Sequence, residues 1–190
     1  MKNKQSRWGI VVMFFMAFIM ITSVIGFIYG DNTNQPVKYN GIKFIRKADQ
    51  WSAKIAGKEA VFNYVPQDVE SISFGSDAQA LIRNKPMLDL TSDPNDLYTE
   101  DIALAEYNLA LSLQNFNTYL RQGFVSENAY DLAVITCDNA TAAVPVIYFM
   151  QSNQTQISAK GNCILAEASS SYDILRVKDR ILYSLLGIME

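Results

Sequence analysis

Residues 8–29 read WGIVVMFFMAFIMITSVIGFIY and include no charged side chain. An α-helix needs about 20 consecutive apolar residues to cross the hydrocarbon core of a bilayer. Trp8 and Tyr29 mark the ends of the run, where amphipathic aromatic rings prefer the headgroup level. The stretch therefore predicts a single transmembrane helix over residues 8–30, which would contact membrane lipid and hold the rest of the chain at the membrane.

The charges on either side of this stretch predict its orientation. Three basic residues precede it, whereas the first lysine after it is Lys38. Because the cytoplasmic flanks of membrane helices are rich in Lys and Arg, we expect a single-pass protein of the cell membrane with its N-terminus in the cytoplasm. The predicted organisation is a cytoplasmic basic tail over 1–7, the anchor over 8–30, a linker over 31–37 and an extracytoplasmic domain over 38–190.

Two alternatives to an uncleaved signal anchor stay open. A cleaved signal peptide has an apolar region of about 7 to 15 residues followed by small residues in an A-x-A pattern. The run here is longer, and no A-x-A pattern follows it. A pilin-like subunit would pack the apolar helix in a filament core, but no convincing prepilin processing site lies near Arg7. The uncleaved anchor is the favoured interpretation.

Composition argues against several classes of function. Of the 16 basic residues, three lie in the first 30 positions, which leaves 13 basic against 19 acidic residues and a formal charge of −6 after the anchor. Nucleic-acid binding is not expected, because it relies on clustered Lys and Arg. The chain has no histidine, which argues against triad hydrolases and histidine-containing zinc sites.

Hydrophobic periodicity predicts the fold class. Apolar and polar residues alternate over 38–66 with turn residues between, which indicates about three antiparallel strands. Apolar residues then recur at steps of three and four from Ile102 to Leu120, with Gly123 as the predicted end of that helix. We predict an α+β domain in which two long helices pack on a mixed or antiparallel sheet, with a more regular α/β layering as the alternative.

The C-terminal half predicts further strands and the second helix. Residues 131–137 (DLAVITC) are mostly apolar and are interpreted as a strand buried on both faces. Residues 144–150 (VPVIYFM) predict another strand, and 155–168 predict a hairpin. Ser170 begins the second long helix with a capping pattern, and we expect the charged side chains of that helix to form a solvated ion-pair face: Asp173, Arg176, Asp179 and Arg180.

Cys137 and Cys163 are the two cysteines of the chain. An oxidising exterior permits a disulfide between them. The rival interpretation is a catalytic or redox cysteine, but there is no C-x-x-C motif and no histidine to activate a thiolate. We therefore predict a structural disulfide.

Two N-x-[ST] triplets are candidates for glycosylation, at Asn153 and Asn139. Asn153 is the better one because it lies in a predicted turn, whereas Asn139 lies close to Cys137 and is expected to be less accessible. Four oxygen-bearing residues cluster before the first long helix: Asp89, Asp93, Asn95 and Asp96. The EF-hand spacing is absent, so turn and capping roles are favoured over a calcium site.

No catalytic, cofactor-binding or metal site is assigned from the sequence, and no family is recognised. The predicted function is a membrane-anchored extracytoplasmic binding or assembly module, such as a subunit of a cell-envelope complex. Its expected partner is another protein or a second copy of this chain. The alternatives are a membrane-tethered enzyme that uses carboxylates, with Asp93 or Asp138 as the residues to test, and a pilin-like filament subunit.

Overall fold

The computed structural model describes residues 7–29 and 35–189. The chain divides into two compact units, Met1–Gln35 and Pro36–Glu190, and each is described by itself. Residues 1–6 of the predicted tail, Gly30 of the predicted anchor and residues 31–34 of the predicted linker lie outside the described part of the chain.

The first unit contains one helix, α1 (Arg7–Tyr29). Within residues 7–29 and 35–189, no helix is both long enough and apolar enough to cross a membrane. The predicted anchor over residues 8–30 is therefore not supported.

The second unit begins with a four-stranded antiparallel sheet in the order β1-β2-β3-β4. Its strands are β1 (Val37–Tyr39), β2 (Ile42–Lys47), β3 (Gln50–Ile55) and β4 (Lys58–Phe62). Ala56 and Gly57 both have positive φ, as the mirror-image turn of a two-residue hairpin requires. The predicted meander is confirmed, with one strand more than expected because β1 pairs with β2.

The strands of the second sheet alternate with the remaining helices along the rest of the chain, and the first part of this region covers residues 66–134. It comprises α2 (Pro66–Val69), β5 (Ser73–Phe74), α3 (Ser76–Ile82), β6 (Met87–Ser92), α4 (Thr99–Leu113), β7 (Tyr119–Phe124) and β8 (Ala133–Val134). The chain then forms β9 (Val146–Gln151), β10 (Gln156–Lys160), β11 (Cys163–Ala168) and α5 (Ser171–Leu185).

The second sheet has seven strands in the order β5-β10-β11-β9-β6-β7-β8. From β11 to β8 every neighbouring pair is parallel, whereas β10 runs antiparallel to β11 and parallel to β5. The helix α4 connects the neighbouring parallel strands β6 and β7, as a parallel crossover requires. The sheet is therefore mixed, and the domain is α+β, as predicted.

The main core lies between one face of the second sheet, the helices and the inner face of the first sheet. Ile102 and Leu109 of α4, Val177 and Ile181 of α5 and Leu90 of β6 are fully buried in it. Three aromatic rings join the first sheet to α5: Phe44, Phe62 and Tyr183, with the last two stacked at 4.4 Å between centroids. This packing fixes α5 against β4.

The first long helix is shorter than predicted. α4 ends at Leu113, a 3₁₀ turn follows, and Asn117 takes a left-handed φ of 59°. Leu120 and Arg121 belong to β7 instead, because they pair with Leu88 and Asp89 of β6. The spacing of apolar residues at steps of three and four continues past the end of α4 into β7, so the sequence predicts one longer helix.

Two further predictions are wrong. Over 131–137 only Ala133 and Val134 form a strand, and both are exposed at the edge of the sheet. The predicted solvated face of α5 is also wrong, because Asp173, Asp179 and Arg180 are buried and Arg176 is half-buried. The predicted start of α5 is confirmed, since the Ser170 hydroxyl accepts a hydrogen bond from the Asp173 N–H.

Candidate functional site

A polar cleft of about 300 Å³ lies beside β4 and the C-terminal half of α4. The carboxamide side chains that line it are Gln50, Asn63, Asn108, Gln114 and Asn115. The remaining lining includes Glu59, Ser112, Lys178 and the apolar side chains of Val61 and Leu111. The cleft therefore presents mainly groups that both donate and accept hydrogen bonds.

Lys178 is the unusual member of this cleft because it is only 1% exposed. Its Nζ donates to the Asn63 side-chain oxygen at 2.7 Å and to the Asp179 carboxylate. A lysine ammonium has three N–H donors, so two are used by these acceptors within the described residues.

Asp179 holds Lys178 in place and also anchors α5 to the first sheet. Its carboxylate accepts hydrogen bonds from the backbone N–H groups of Asn63 and Tyr64, both at 2.7 Å. Burial raises the pKa of Asp179, while Lys178 and the two N–H groups partly offset that rise. A buried charge is tolerated only when it is paired and hydrogen-bonded in this way.

Glu59, which also lines the cleft, belongs to a second charge pair. The Glu59 carboxylate lies 2.5 Å from the Lys47 Nζ and also accepts a hydrogen bond from the Ser52 hydroxyl. The bond to Lys47 is the main reason that the pKa of Glu59 is lowered. Each carboxylate beside the cleft is therefore matched by a lysine.

The free edge of β4 is covered where it meets α4 and α5. Ile55 pairs with Lys58 across the two-residue turn, so the backbone groups of Glu59, Val61 and Asn63 point away from β3. The Ser112 hydroxyl donates to the Val61 carbonyl at 3.2 Å, and Asp179 accepts from Asn63. The cleft is thus bounded by an edge strand whose hydrogen-bonding groups are partly satisfied by side chains.

An exposed apolar stripe on α4 leads into the cleft. Leu104, Tyr107 and Leu111 are 47%, 60% and 53% exposed, and they follow one another at steps of three and four. The opposite face of α4 is buried in the core. Since residues at this spacing share one side of a helix, α4 has a second apolar side that no described element covers fully.

The acidic residues considered from the sequence do not form one site. Asp89 is buried and makes a bidentate ion pair with Arg121 at 2.8 and 2.6 Å. Asp93 accepts a hydrogen bond from the Asn95 N–H, and Asp96 accepts from Tyr98 and Gln151. No group of three potential metal ligands occurs within residues 7–29 and 35–189.

Glu106 is a buried carboxyl that the sequence analysis overlooked. It lies on α4, and burial raises its pKa to about 8, with Ser92 offsetting only part of the rise. Its Oε1 has no hydrogen-bond partner in the described part of the chain. At neutral pH the group is therefore mainly protonated, but it is not part of the cleft lining.

The predicted disulfide between Cys137 and Cys163 is present, and it closes a sequence separation of 26 residues. Cys163 packs with Ile135 and Val146 in a small second cluster. The bond therefore ties the loop before β9 to the start of β11. Asn153 and Asn139 are both exposed, so the expectation that Asn139 is less accessible is wrong, and the glycosylation of both stays a prediction.

Sequence reasoning missed the cleft for a clear reason. Lys178 and Asp179 are adjacent charged residues of α5, and charged side chains are rarely fully buried. A signal was present in Asn63, the polar residue that follows the apolar end of β4, but its distance from Lys178 is 115 positions. Only the packing of α5 on the first sheet brings these groups together.

Comparison of the chain with protein-family models, with curated proteins and with solved structures finds no significant match.

Proposed function

We propose that this chain is an extracytoplasmic binding or assembly module, held at the membrane by its apolar N-terminal segment, with another protein of the cell envelope as its neighbour. The observation that carries this proposal is the exposed stripe of Leu104, Tyr107 and Leu111 on α4. Contiguous exposed apolar side chains with a polar rim are typical of protein interaction surfaces, and aromatic residues are enriched at their centres.

The disulfide supports the compartment in this proposal. Structural disulfides persist mainly in oxidising environments outside the cytosol, and Cys137 is joined to Cys163. Full-length protein from its host should contain no alkylatable thiol at these two positions. A variant without residues 8–30 should keep both as thiols, because it would stay in the reducing cytosol. Alkylation followed by mass spectrometry distinguishes the outcomes, and free thiols in the full-length protein would contradict export.

The interaction surface is tested by photo-cross-linking in intact cells. A photo-reactive amino acid at Tyr107 should give a reproducible protein adduct, because this side chain is at the middle of the stripe. The matched control is the same replacement at Tyr119 on β7, which is 64% exposed and lies outside the stripe. Equal adducts at both positions, or none at Tyr107, would contradict the proposal.

The two alternative functions stay predictions. Asp93 and Asp138, named for a carboxylate-dependent enzyme, lie in separate loops, before α4 and in the 3₁₀ turn Cys137–Asn139. For the pilin-like filament, the apolar helix would have to lie in a filament core. Neither alternative has a supporting feature comparable with the stripe on α4.

A further inference from the structure

We propose that the polar cleft beside β4 and α4 binds one unit of a neutral carbohydrate. This inference rests on the proposed binding role, and it adds the chemical class of the ligand. The cleft adjoins the stripe of α4, where the protein neighbour is expected, and Leu111 belongs to both. Its support comes from the charges, the hydrogen-bonding groups and the size of the cleft.

The charge arrangement favours a ligand without net charge. The ammonium of Lys178 is matched by Asp179, and the carboxylate of Glu59 is matched by Lys47. An anionic ligand in the cleft would approach Glu59, whereas a cationic ligand would approach Lys178. Either would displace a paired charge or lose its own hydration without compensation.

The lining chemistry matches hydroxyl groups. A hydroxyl is at once a donor and an acceptor, and a carboxamide offers both functions from one side chain. Five carboxamides line the cleft. A polyhydroxylated ring can therefore form hydrogen bonds with several of these side chains, whereas a hydrocarbon ligand would form none.

The apolar and spatial features agree with a sugar ring. Val61 and Leu111 supply the apolar contacts that the C–H groups of such a ring require. The volume of about 300 Å³ is at the small end of ligand sites. This is enough for a single ring with its substituents, with further units of a chain extending into solvent.

A peptide fits this cleft less well. Extended peptides bind edge strands by continuing the backbone hydrogen-bond ladder. On β4 that ladder is interrupted, because Ser112 already binds the Val61 carbonyl and Asp179 binds the Asn63 N–H. The side chains that remain in the cleft serve a compact polar ligand better than an added strand.

The test is saturation-transfer NMR and titration calorimetry on the purified full-length chain. The neutral probes are maltose, cellobiose and N,N′-diacetylchitobiose, and the charged probes are galacturonic acid and glucosamine. At least one neutral disaccharide should bind. The variant Asn108→Ala should weaken that binding by between about threefold and tenfold, the loss expected for one or two neutral hydrogen bonds.

A matched control variant makes the test decisive. Gln154→Ala removes an exposed carboxamide that is not part of the cleft lining and should leave binding unchanged. Binding of charged sugars alone, no binding of any neutral probe, or binding insensitive to Asn108→Ala would overturn the inference. A Tyr107 adduct in cells would leave the proposed function standing in that case.

Discussion

Glu106 shows how one buried carboxyl links the stability of this fold to pH. Its folded-state pKa is about 8 against an ordinary value of 4.5. Between these two values the unfolded chain releases the proton and the folded chain keeps it. Stability therefore falls as the pH rises through this window, and it levels off above the folded-state pKa.

The variant Glu106→Gln should remove this pH dependence. Relative to the parent protein it should gain stability progressively from about pH 5 to pH 8, with an upper limit of about 5 kcal/mol. Urea unfolding at a series of pH values measures the difference. A difference between the two proteins that does not change with pH would contradict the assignment of Glu106 as the titrating group.

Asp179 should be among the most sensitive positions for stability. The variant Asp179→Ala leaves Lys178 buried without its carboxylate and removes the acceptor for two backbone N–H groups. We expect a loss of about 3 to 5 kcal/mol in the free energy of unfolding, since breaking a buried pair leaves an uncompensated charge.

Two controls separate the loss of this pair from a general effect of removing an acid. Glu127→Ala removes an exposed acid and should change the free energy of unfolding by less than about 0.5 kcal/mol. The double variant Lys178→Met with Asp179→Leu should recover much of the loss, because apolar replacement of a buried pair is often tolerated. An Asp179→Ala protein as stable as its parent would contradict the role of the pair.

Among the elements, β7 depends on a glycine that no turn requires. A Cβ on Gly123 would lie 2.4 Å from the Ala133 carbonyl oxygen and 2.8 Å from the Ile135 side chain. Gly123→Ala should therefore destabilise the domain by about 1 to 3 kcal/mol, because either β7 or the segment from Ala133 to Ile135 must shift to make room for the added methyl group. Thermal unfolding monitored by circular dichroism measures this change.

Gly75→Ala is the matched control for that substitution. Gly75 lies before α3, and the nearest atom to an added Cβ there is 3.7 Å away, an ordinary contact. Because alanine is a poorer N-cap than glycine, we expect a loss of about 0.5 to 1 kcal/mol at this helix start, smaller than the loss expected at Gly123. Equal effects of the two substitutions would show that close approach at Gly123 is not what constrains the residue.

Elements with their own local pattern could be predicted from the sequence. The meander of the first sheet, the hairpin of β10 and β11 and the capped start of α5 each depend on neighbours within a few positions. Elements that depend on contacts with residues distant in sequence could not be predicted from it. β7 exists because it pairs with β6 across α4, and the interior of α5 buries charges because Asn63 and Tyr64 meet Asp179.

At the scale of the whole molecule, the candidate site likewise depends on contacts between residues that are distant in sequence. The disulfide could be predicted because the chain has two cysteines, which leave a single pairing. The cleft could not, since it combines Gln50 of the first sheet, Asn108 of α4 and Lys178 of α5. Charge balance in the cleft is a property of the packed domain, and no short motif carries it.

The second unit should fold without the first 35 residues. Every residue of its main core lies between Phe44 and Met189, and the chain divides at Gln35. A fragment of residues 36–190 with its disulfide should unfold in one cooperative thermal transition. It should keep the tertiary signal of the stacked Phe62 and Tyr183 rings in near-ultraviolet circular dichroism.

The control fragment 58–190 lacks β1, β2 and β3, and with them Phe44 and the partner strand of β4. It should lose that cooperative transition, because the first sheet covers one side of α5. A non-cooperative transition in fragment 36–190, or equal behaviour of the two fragments, would show that the division at Gln35 does not mark an independently folding domain.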